Sequence, residues 1–448
     1  MKNMTLLRAA KACGGRLCHA YDPDAELGRV VIDSRAVQPG DLFVAYKGEN
    51  ADGHDYIAAA FDRGAACCLA QRIPEGETRP ILLAEDVQTA LEKIAADYRS
   101  DLNIPVVGIT GSVGKTSAKE MIAAVLEQRL RVLKTEKNLN NQIGVPMTIS
   151  RIEPEHQAAV VEMGISGFGE MRILAKIARP TIAVFTMIGH AHLEFLHDRA
   201  GVFRAKTEML EEMGEDAVVL VNGDDDLLRE LDCRQKKLSF GLGENCDIRA
   251  LNIRLDEEEH TACTVAFGER RIPVRIPAFG QHMVYAALEG AAVGFLLGLS
   301  DEEIARGVAA YETVGRRSAV TETGRITLID DSYNANPDSV KCGVDSLVKL
   351  PGRHVCILGD MLELGSEAGE MHRDVGAYAA AKGVDLVLCS GPLGAEIAAG
   401  AGERGRWFAD REELIRALPE LIRDGDRVLV KASRGMRFEE TAEALKKL

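Results

Sequence analysis

The feature that most constrains this chain is a glycine-rich segment at residues 110–117. A short apolar segment at 104–107 precedes it, and apolar residues at helical spacing follow it over 118–129. A strand, a glycine-rich turn and a helix in this order let backbone N–H groups close around phosphate oxygens. Lys115 would add a positive charge there, and the Thr116 hydroxyl could ligate Mg²⁺. The segment therefore predicts a nucleoside triphosphate site.

The glycine spacing departs from the usual phosphate loop, because Gly108 lies one residue too far from Gly114. The core pattern is instead Thr-Gly-x-x-Gly-Lys-Thr. A chance Gly-Lys-Thr in an ordinary strand-turn-helix is the alternative, and the two further glycines count against it. The predicted nucleotide-binding residues of the loop are Thr110, Gly111, Ser112, Val113, Gly114, Lys115, Thr116 and Ser117.

Length and charge limit the class of protein. A chain of 448 residues is long enough for two or three domains, and its net charge of −15 argues against a nucleic-acid-binding protein. The ten cysteines contain no C-x-x-C pair, which is typical of reduced thiols in a cytosol. The N-terminus lacks the apolar run of a signal peptide, and the apolar run at 290–299 is too short to span a bilayer. We expect a cytoplasmic monomer without a transmembrane segment.

Polar residues follow the predicted strands of the first 98 residues. Asp33, Ser34 and Arg35 follow a strand at 30–32, and a strand at 41–46 precedes a helix that begins near Asp52. Polar groups at the ends of strands suit a ligand site in an open α/β sheet. Ordinary turn chemistry explains each block equally well when it is taken alone.

Together, these blocks resemble the N-terminal domain of bacterial Mur ligases, and the phosphate loop is similar to that of the same family. The resemblance covers the whole chain. It implies three domains: a small α/β domain at 1–98, a P-loop ATPase-like domain with a mostly parallel sheet at 99–313, and a Rossmann-like domain at 314–448. It also implies that Ser34, Arg35 and Asp52 hold the UDP end of a UDP-N-acetylmuramoyl peptide.

Two further segments of the central domain carry polar groups. The amide-rich loop at 133–146 is by composition a solvated loop, yet it is very similar to the family's Asn-Leu-Asn-Asn stretch. The similarity implies that Asn138 contacts the nucleotide and that Asn140 and Asn141 contact the substrate. Glu162 ends a predicted strand beside the phosphate loop, a position from which a carboxylate can hold Mg²⁺.

Two histidines and a lysine follow the next predicted strand. From the residues alone, His190 and His192 could bind a metal or merely be exposed, and Lys206 would be a solvated charge on a helix. The family resemblance implies that His192 is functional, that His190 is incidental, and that Lys206 is carbamylated by CO₂. It thereby implies a metal set of Thr116, Glu162, His192 and Lys206 for two Mg²⁺ ions.

The segment at 280–287 departs from the family pattern. Members of the family carry two asparagines that contact adenine, and Met283 and Ala286 replace them here. His282 is retained and is a predicted nucleotide contact. Whether the base is hydrogen bonded is left open.

The last domain contains apolar strands at 326–329, 355–358, 386–389 and 428–430, separated by helical segments. This alternation predicts a mostly parallel sheet. The segment at 330–339 is closely similar to the members of the family that add D-alanyl-D-alanine. The resemblance assigns Arg316 to the γ-phosphate, Asp331 to the ribose, and Tyr333, Asn334 and Asn336 to the dipeptide side.

The activity implied is ATP-dependent joining of D-Ala-D-Ala to UDP-N-acetylmuramoyl-tripeptide through an acyl phosphate, in peptidoglycan synthesis. The implied catalytic residues are Lys115, Glu162, His192, Lys206 and Arg316. Because Lys115 and Arg316 lie on different domains, we expect the third domain to close on the second before reaction. The alternatives are another amide ligase of the superfamily, either third-residue-adding or folylpolyglutamate synthase-like, and a degenerate nucleotide-binding homologue.

Overall fold

The structure, a computed structural model, describes residues 1–48, 51–256, 260–278, 280 and 282–448. Within these ranges the strands form three separate sheets, of five, nine and six strands, which follow one another along the chain. Helices cover the sheets, as expected for a mixed α/β protein. The predicted fold class, three α/β units in sequence, is confirmed.

The N-terminal unit has the strand order β1-β5-β4-β3-β2, in which only β1 is antiparallel to its neighbour among the described strands. The strands are β1 (Arg16–Cys18), β2 (Val30–Val31), β3 (Leu42–Val44), β4 (Cys67–Ala70) and β5 (Ile81–Leu83). The helices are α1 (Leu6–Cys13), α2 (Ile57–Asp62) and α3 (Val87–Ser100). The two polar blocks form 3₁₀ turns at Ser34–Ala36 and Gly53–Tyr56, which Asp33 and Asp52 cap.

The central unit places the strand before the phosphate loop inside a parallel sheet. Its strands are β6 (Val106–Thr110), β7 (Val132–Lys134), β8 (Ala158–Glu162), β9 (Ile182–Phe185), β10 (Val218–Asn222), β11 (Lys236–Gly241), β12 (Ile248–Leu255), β13 (Thr261–Phe267) and β14 (Arg270–Ile276). The order is β14-β13-β12-β11-β10-β9-β6-β8-β7, parallel from β7 to β12 and antiparallel from β12 to β14. The last three strands form an antiparallel meander, and residues 257–259 between β12 and β13 lie outside the described residues.

The central helices are α4 (Lys115–Leu126), α5 (Gly144–Ile149), α6 (Glu170–Ala178), α7 (Leu193–Leu196), α8 (Arg199–Thr207), α9 (Asp226–Arg229), α10 (His282–Leu296) and α11 (Asp301–Ala309). The apolar run at 290–299 belongs largely to α10, which packs on α4. A Cβ atom on Gly290 would lie 3.0 Å from Met121 Cγ, so glycine allows the two helices to approach closely. None of the described helices is long and apolar enough to cross a membrane.

The C-terminal unit has the order β15-β16-β20-β17-β18-β19 and is parallel apart from β15. Its strands are β15 (Ala319–Glu322), β16 (Thr327–Asp330), β17 (His354–Gly359), β18 (Leu386–Ser390), β19 (Gly405–Phe408) and β20 (Arg427–Lys431). Its helices are α12 (Pro337–Leu347), α13 (Ala368–Ala381), α14 (Gly394–Ala401), α15 (Arg411–Leu421) and α16 (Glu439–Leu445). The carboxyl ends of β16 and β20 carry polar residues toward the central unit.

The first two units share one apolar core, which runs from Met4 in the N-terminal unit to Leu231 in the central one. The end of α3 anchors this junction. Tyr98 donates a hydrogen bond to the Ile152 carbonyl, and Arg99 Nε donates to the Ala178 carbonyl at 2.8 Å. Buried polar contacts of this kind fix how two packed elements are oriented.

Candidate active site

A cavity of about 390 Å³ lies between the central unit and the C-terminal unit. It is bounded by the carboxyl ends of central strands on one side and by those of β16 and β20 on the other, where open α/β sheets bind ligands. The predicted site residues that line it are Ser112, Val113, Gly114, Lys115, Thr116, Ser117, Asn138, Asn140, Asn141, Glu162, His192, His282, Asp331, Tyr333, Asn334 and Asn336. The structure thus brings together residues that the sequence separates by more than 200 positions.

The phosphate loop is shaped by two glycines. Gly111 lies against β9, and a Cβ atom there would come within 1.9 Å of Thr186 Oγ1. Gly114 has φ +90°, in the left-handed region that favours glycine, and α4 begins at the next residue. Thr186 Oγ1 also donates to the Val113 carbonyl at 2.5 Å. The loop therefore presents the N-terminus of α4 to the cavity, which is an anion-binding geometry.

Lys115 folds back over this loop. Its Nζ donates to the Gly111 carbonyl at 2.7 Å, and burial lowers the pKa of the ammonium group below its usual value. The neighbouring carboxylate of Glu162 partly opposes that shift in the pKa of Lys115, and the charge of Arg317 adds to it. An anion at the loop would favour the charged form of Lys115.

Glu162 is held in place by neutral donors on two segments. Thr116 Oγ1 donates to Oε2 at 2.9 Å, and Asn140 Nδ2 donates to Oε1 at 2.8 Å. The side chain is about 1% exposed, and the Lys119 ammonium lies 3.9 Å from Oε2. The Thr116 hydroxyl and the Glu162 carboxylate thus place oxygen atoms, the ligands that Mg²⁺ prefers, beside the phosphate loop.

Lys206 lies on α8 and is also about 1% exposed. Burial lowers the pKa of its amine well below the usual value, and the nearby charge of Lys115 lowers it further. Burial of a lysine amine favours its neutral form, which is the nucleophilic one.

His192 lies near Lys115 and Lys206 and contacts the C-terminal unit. Its backbone is in the left-handed region, with φ +56°, and its Nδ1 pairs with the Glu363 carboxylate. Burial and the charges of Lys206 and Lys115 lower the pKa of His192, although Glu363 partly offsets them. Three groups that can be cationic therefore influence one another here, and they would be stabilised by an anion among them.

The metal prediction rests on few conventional ligands. Within the described ranges, no three His, Cys, Asp or Glu side chains are grouped closely enough to hold a metal ion by themselves. The predicted set contains only two such residues, Glu162 and His192. It depends in addition on the Thr116 hydroxyl and on conversion of Lys206 to an anion.

His282, a predicted nucleotide contact, lines the cavity. Its Nδ1 is buried without a hydrogen-bond partner among the described residues, and burial lowers the pKa of the ring. Met283 and Ala286 are each about 3% exposed and belong to the apolar core around α10. These two positions therefore serve packing, and neither of them lines the cavity.

The wall of the C-terminal unit is organised by Asp331 and Lys431. Lys431 Nζ pairs with Asp331 Oδ2 at 2.5 Å and donates to the Asn334 carbonyl at 2.9 Å. Asn336 forms the N-cap of α12, where its Oδ1 accepts the Ser339 N–H at 2.8 Å. Half of the Asn336 amide is thus committed to the helix, so its proposed contact with the dipeptide must use Nδ2.

Arg316 differs from the sequence-based expectation. It turns toward Asp330 and Glu443, at 3.7 and 3.6 Å, and does not line the cavity. The adjacent Arg317 lines it instead, with its guanidinium 4.1 Å from the centre of the Tyr333 ring. Two consecutive arginines alternate in direction, and the sequence motif alone could not show which of them faces the cavity.

His190, which was expected to be incidental, joins the two units that form the cavity. Its backbone N–H donates to Asp338 Oδ2 at 2.6 Å, and its ring Nδ1 lies 3.1 Å from the same oxygen. Burial raises the pKa of Asp338, but the hydrogen bonds from His190 and the charges of His190 and Arg199 together outweigh this effect and leave the pKa below its usual value. The His190–Asp338 contact and the His192–Glu363 pair hold the C-terminal unit over the phosphate loop.

The residues predicted to bind the UDP end lie on the N-terminal unit, outside the lining of this cavity. Arg35 pairs with Asp33 at 2.8 Å, and its side chain is 84% exposed. Asp52 accepts the His54 N–H at 3.0 Å and pairs with Arg72 at 2.9 Å. Arg35 and Arg72, which follow β2 and β4, are thus exposed cations that each pair with an aspartate.

Comparison with known proteins gives matches along the whole chain. Residues 26–142 match the catalytic domain of the Mur ligase family, residues 109–294 the Mur ligase middle domain, and residues 315–434 the Mur ligase glutamate ligase domain. The chain is 37% identical to the UDP-N-acetylmuramoyl-tripeptide–D-alanyl-D-alanine ligase of Escherichia coli K12, over 99% of both chains. A crystal structure of MurF from Acinetobacter baumannii superposes with a TM-score of 0.92 at 30% identity, over 99% of both chains. MurF from Thermotoga maritima in complex with ADP superposes with a TM-score of 0.84 at 30% identity, over 94% of this chain and 97% of that one.

Proposed function

This chain belongs to the Mur ligase family, and on that premise we propose that it joins D-alanyl-D-alanine to UDP-N-acetylmuramoyl-tripeptide with cleavage of ATP to ADP and phosphate. The product is the UDP-linked pentapeptide used in peptidoglycan synthesis. Relatives named UDP-N-acetylmuramoyl-tripeptide–D-alanyl-D-alanine ligase match 99% of this chain over 99% of their own length. The observation that carries the proposal is a cavity lined both by the phosphate loop and by the segment at 331–336.

The reaction needs two nucleophilic steps at neighbouring atoms. The terminal carboxylate of the tripeptide attacks the γ-phosphorus, which gives an acyl phosphate and ADP. The amine of D-Ala-D-Ala then attacks the acyl carbon, phosphate leaves, and the amine gives up a proton. Both steps accumulate negative charge on oxygen, so cationic groups fixed in advance supply much of the catalysis.

The residues of the chain divide these tasks. Lys115 and the N-terminus of α4 bind the triphosphate, and Arg317, or Arg316 after a change of side-chain direction, meets the transferred phosphate. Asp331 holds the ribose, and Asn138 and His282 bind the rest of the nucleotide. Asn140, which is hydrogen bonded to Glu162, and Asn141 contact the UDP-linked substrate.

We assign magnesium to the same edge of the central sheet. Thr116 and Glu162 would hold one ion and His192 and Lys206 a second, and these ions would neutralise phosphate charge. The 2.9 Å contact between the Thr116 hydroxyl and Glu162 fits this use. The low pKa of Lys206 supports its carbamylation, which would convert a buried amine into an anionic oxygen ligand.

The domain boundaries proposed are 1–98, 99–313 and 314–448. The first domain takes the UDP end of the substrate through Ser34, Arg35 and Asp52, the second takes ATP, and the third takes D-Ala-D-Ala. We propose that the protein acts as a cytoplasmic monomer and that the third domain closes on the second before reaction.

The test is phosphate release from ATP, measured with the UDP-linked tripeptide, with D-Ala-D-Ala, and with both, together with mass spectrometry of the product. We expect release only with both substrates and a product one dipeptide heavier. Release that ignores D-Ala-D-Ala would contradict the proposal and favour another amide ligase of the superfamily. No release with any acceptor would favour a non-catalytic nucleotide-binding protein.

A further inference from the structure

Two arginines flank one tyrosine on the C-terminal wall of the cavity. The guanidinium carbons of Arg317 and Arg434 lie 4.1 and 5.3 Å from the centre of the Tyr333 ring, and Arg434 Nη1 donates to the Tyr333 hydroxyl at 3.3 Å. All three side chains line the cavity. Stacking on an aromatic ring orients a guanidinium while leaving its outer N–H groups free to bind a ligand.

Lys431, a third cation on the C-terminal wall of the cavity, is already neutralised by a carboxylate of the protein. Lys431 is buried and pairs with Asp331 at 2.5 Å. Neither Arg317 nor Arg434 forms an ion pair with a carboxylate in the part of the chain that the structure describes, so both retain a full charge for a ligand. The cavity therefore offers two cationic positions in addition to Lys115.

The two arginines come from different segments of the C-terminal unit. Arg317 precedes β15 and lines the cavity together with Lys115 of the phosphate loop. Arg434 lies in the turn Arg434–Met436 that follows β20, on the strand-end segment of the C-terminal unit. The transferred phosphate accounts for the first position and leaves the second without an assigned partner.

D-Ala-D-Ala has one charged group besides its reacting amine, the terminal carboxylate. An extended dipeptide separates these two groups by on the order of 7 Å, so an amine at the acyl phosphate places its carboxylate well away from the phosphate loop. A guanidinium is the side chain best suited to a carboxylate, since its two N–H groups match the two oxygens.

We infer that Arg434, stacked on Tyr333, binds the terminal carboxylate of the incoming dipeptide and so selects for a free acid at that end. This inference rests on the proposed function and adds a residue that determines the specificity of its second substrate. Arg434 is exposed, so its replacement leaves the core of the unit intact.

The experiment compares D-Ala-D-Ala with its C-terminal amide, at saturating ATP and UDP-linked tripeptide, in the full-length protein. We expect the wild-type protein to prefer the acid. Arg434→Met should lower kcat/KM for the acid roughly 10- to 100-fold, as expected for loss of a hydrogen-bonded ion pair, and should leave the amide almost unaffected. Arg434→Lys should retain part of the preference, because it keeps the charge but not the paired N–H groups.

The matched control is Arg437→Met, which removes an exposed arginine that pairs with Glu440 in the same segment and does not line the cavity. It should leave both substrates unchanged. An acid-to-amide preference that survives in Arg434→Met overturns the inference, as does a loss confined to the KM of the UDP-linked tripeptide or of ATP. If the wild-type protein forms no pentapeptide at all, the proposed function fails and this inference fails with it.

Discussion

The carboxylate of Glu162 offers the sharpest test of the site, because its surroundings fix what its loss should cost. Glu162→Gln keeps the shape of the side chain and removes its charge. The carboxylate is almost fully buried and accepts hydrogen bonds from Thr116 and Asn140 at 2.9 and 2.8 Å. Solvent therefore screens it weakly, and water cannot replace it easily.

Removing one such preorganised charge contact costs roughly 3–4 kcal/mol of barrier, or about 100- to 1,000-fold in rate. We expect that loss in kcat/KM for ATP, with a higher Mg²⁺ concentration needed for half-maximal activity. The fold should survive, because Lys119 keeps its 2.9 Å pair with Glu120.

The assay is phosphate release over a Mg²⁺ titration, with thermal unfolding measured in parallel. Glu136→Gln is the control, since Glu136 pairs with Arg151 outside the cavity and an exposed pair contributes at most about 1 kcal/mol. An unchanged Mg²⁺ dependence in Glu162→Gln, with activity within about threefold of wild type, would refute the assignment of this carboxylate to the metal.

Three further predictions concern other parts of the site. Lys206→Ala should be inactive and should regain activity when a short carboxylic acid is added. ¹³C-labelled bicarbonate should give a carbamate NMR signal in the wild type and none in Lys206→Ala. Full activity of Lys206→Ala without added acid would refute the proposal that Lys206 is carbamylated. Arg317→Met should reduce kcat about 100-fold, whereas Arg316→Met should chiefly lower the melting temperature, because Arg316 contacts Asp330 and Glu443. Steady-state kinetics and calorimetry distinguish these two effects. The opposite pattern would indicate that Arg316, and not Arg317, binds the transferred phosphate. The pKa of Asp338 is lowered in the folded protein, so its contact with His190 contributes stability that is present above the usual pKa of 3.8 and is lost as the pH falls through and below that value. In melting temperatures measured at pH 3–7, Asp338→Asn should therefore show a shallower decline toward acid pH than the wild type. An identical decline in the two proteins would exclude this contact as the cause of the acid destabilisation.

The phosphate loop could be predicted because its determinants are local. Gly111, Gly114 and Lys115 act through backbone geometry within a few residues, and the flanking strand and helix are apolar at the expected spacing. The four apolar strands of the C-terminal unit were predictable for the same reason. The roles implied by family resemblance remain predictions for the individual site residues.

Other features depend on contacts between distant segments. The direction of Arg316 and Arg317 is set by Asp330, Glu443 and Tyr333, none of which the local motif specifies. The role of His190 required knowledge that Asp338 lies opposite it. Short strands such as β1 and β19 form because a neighbour pairs with them, and their three or four residues carry too little periodicity to be recognised.

The two junctions between the three units differ in the kind of contact that stabilises them. The first and second units share a continuous apolar core through α3, and burial of apolar surface stabilises this junction. The second and third units meet through polar contacts, among them the His190–Asp338 and His192–Glu363 pairs and the hydrogen bond from the Glu194 N–H to the Glu363 carbonyl. Burial of apolar surface therefore fixes the first unit on the second, whereas directional polar contacts hold the third unit, and the proposed domain closure would have to make and break them.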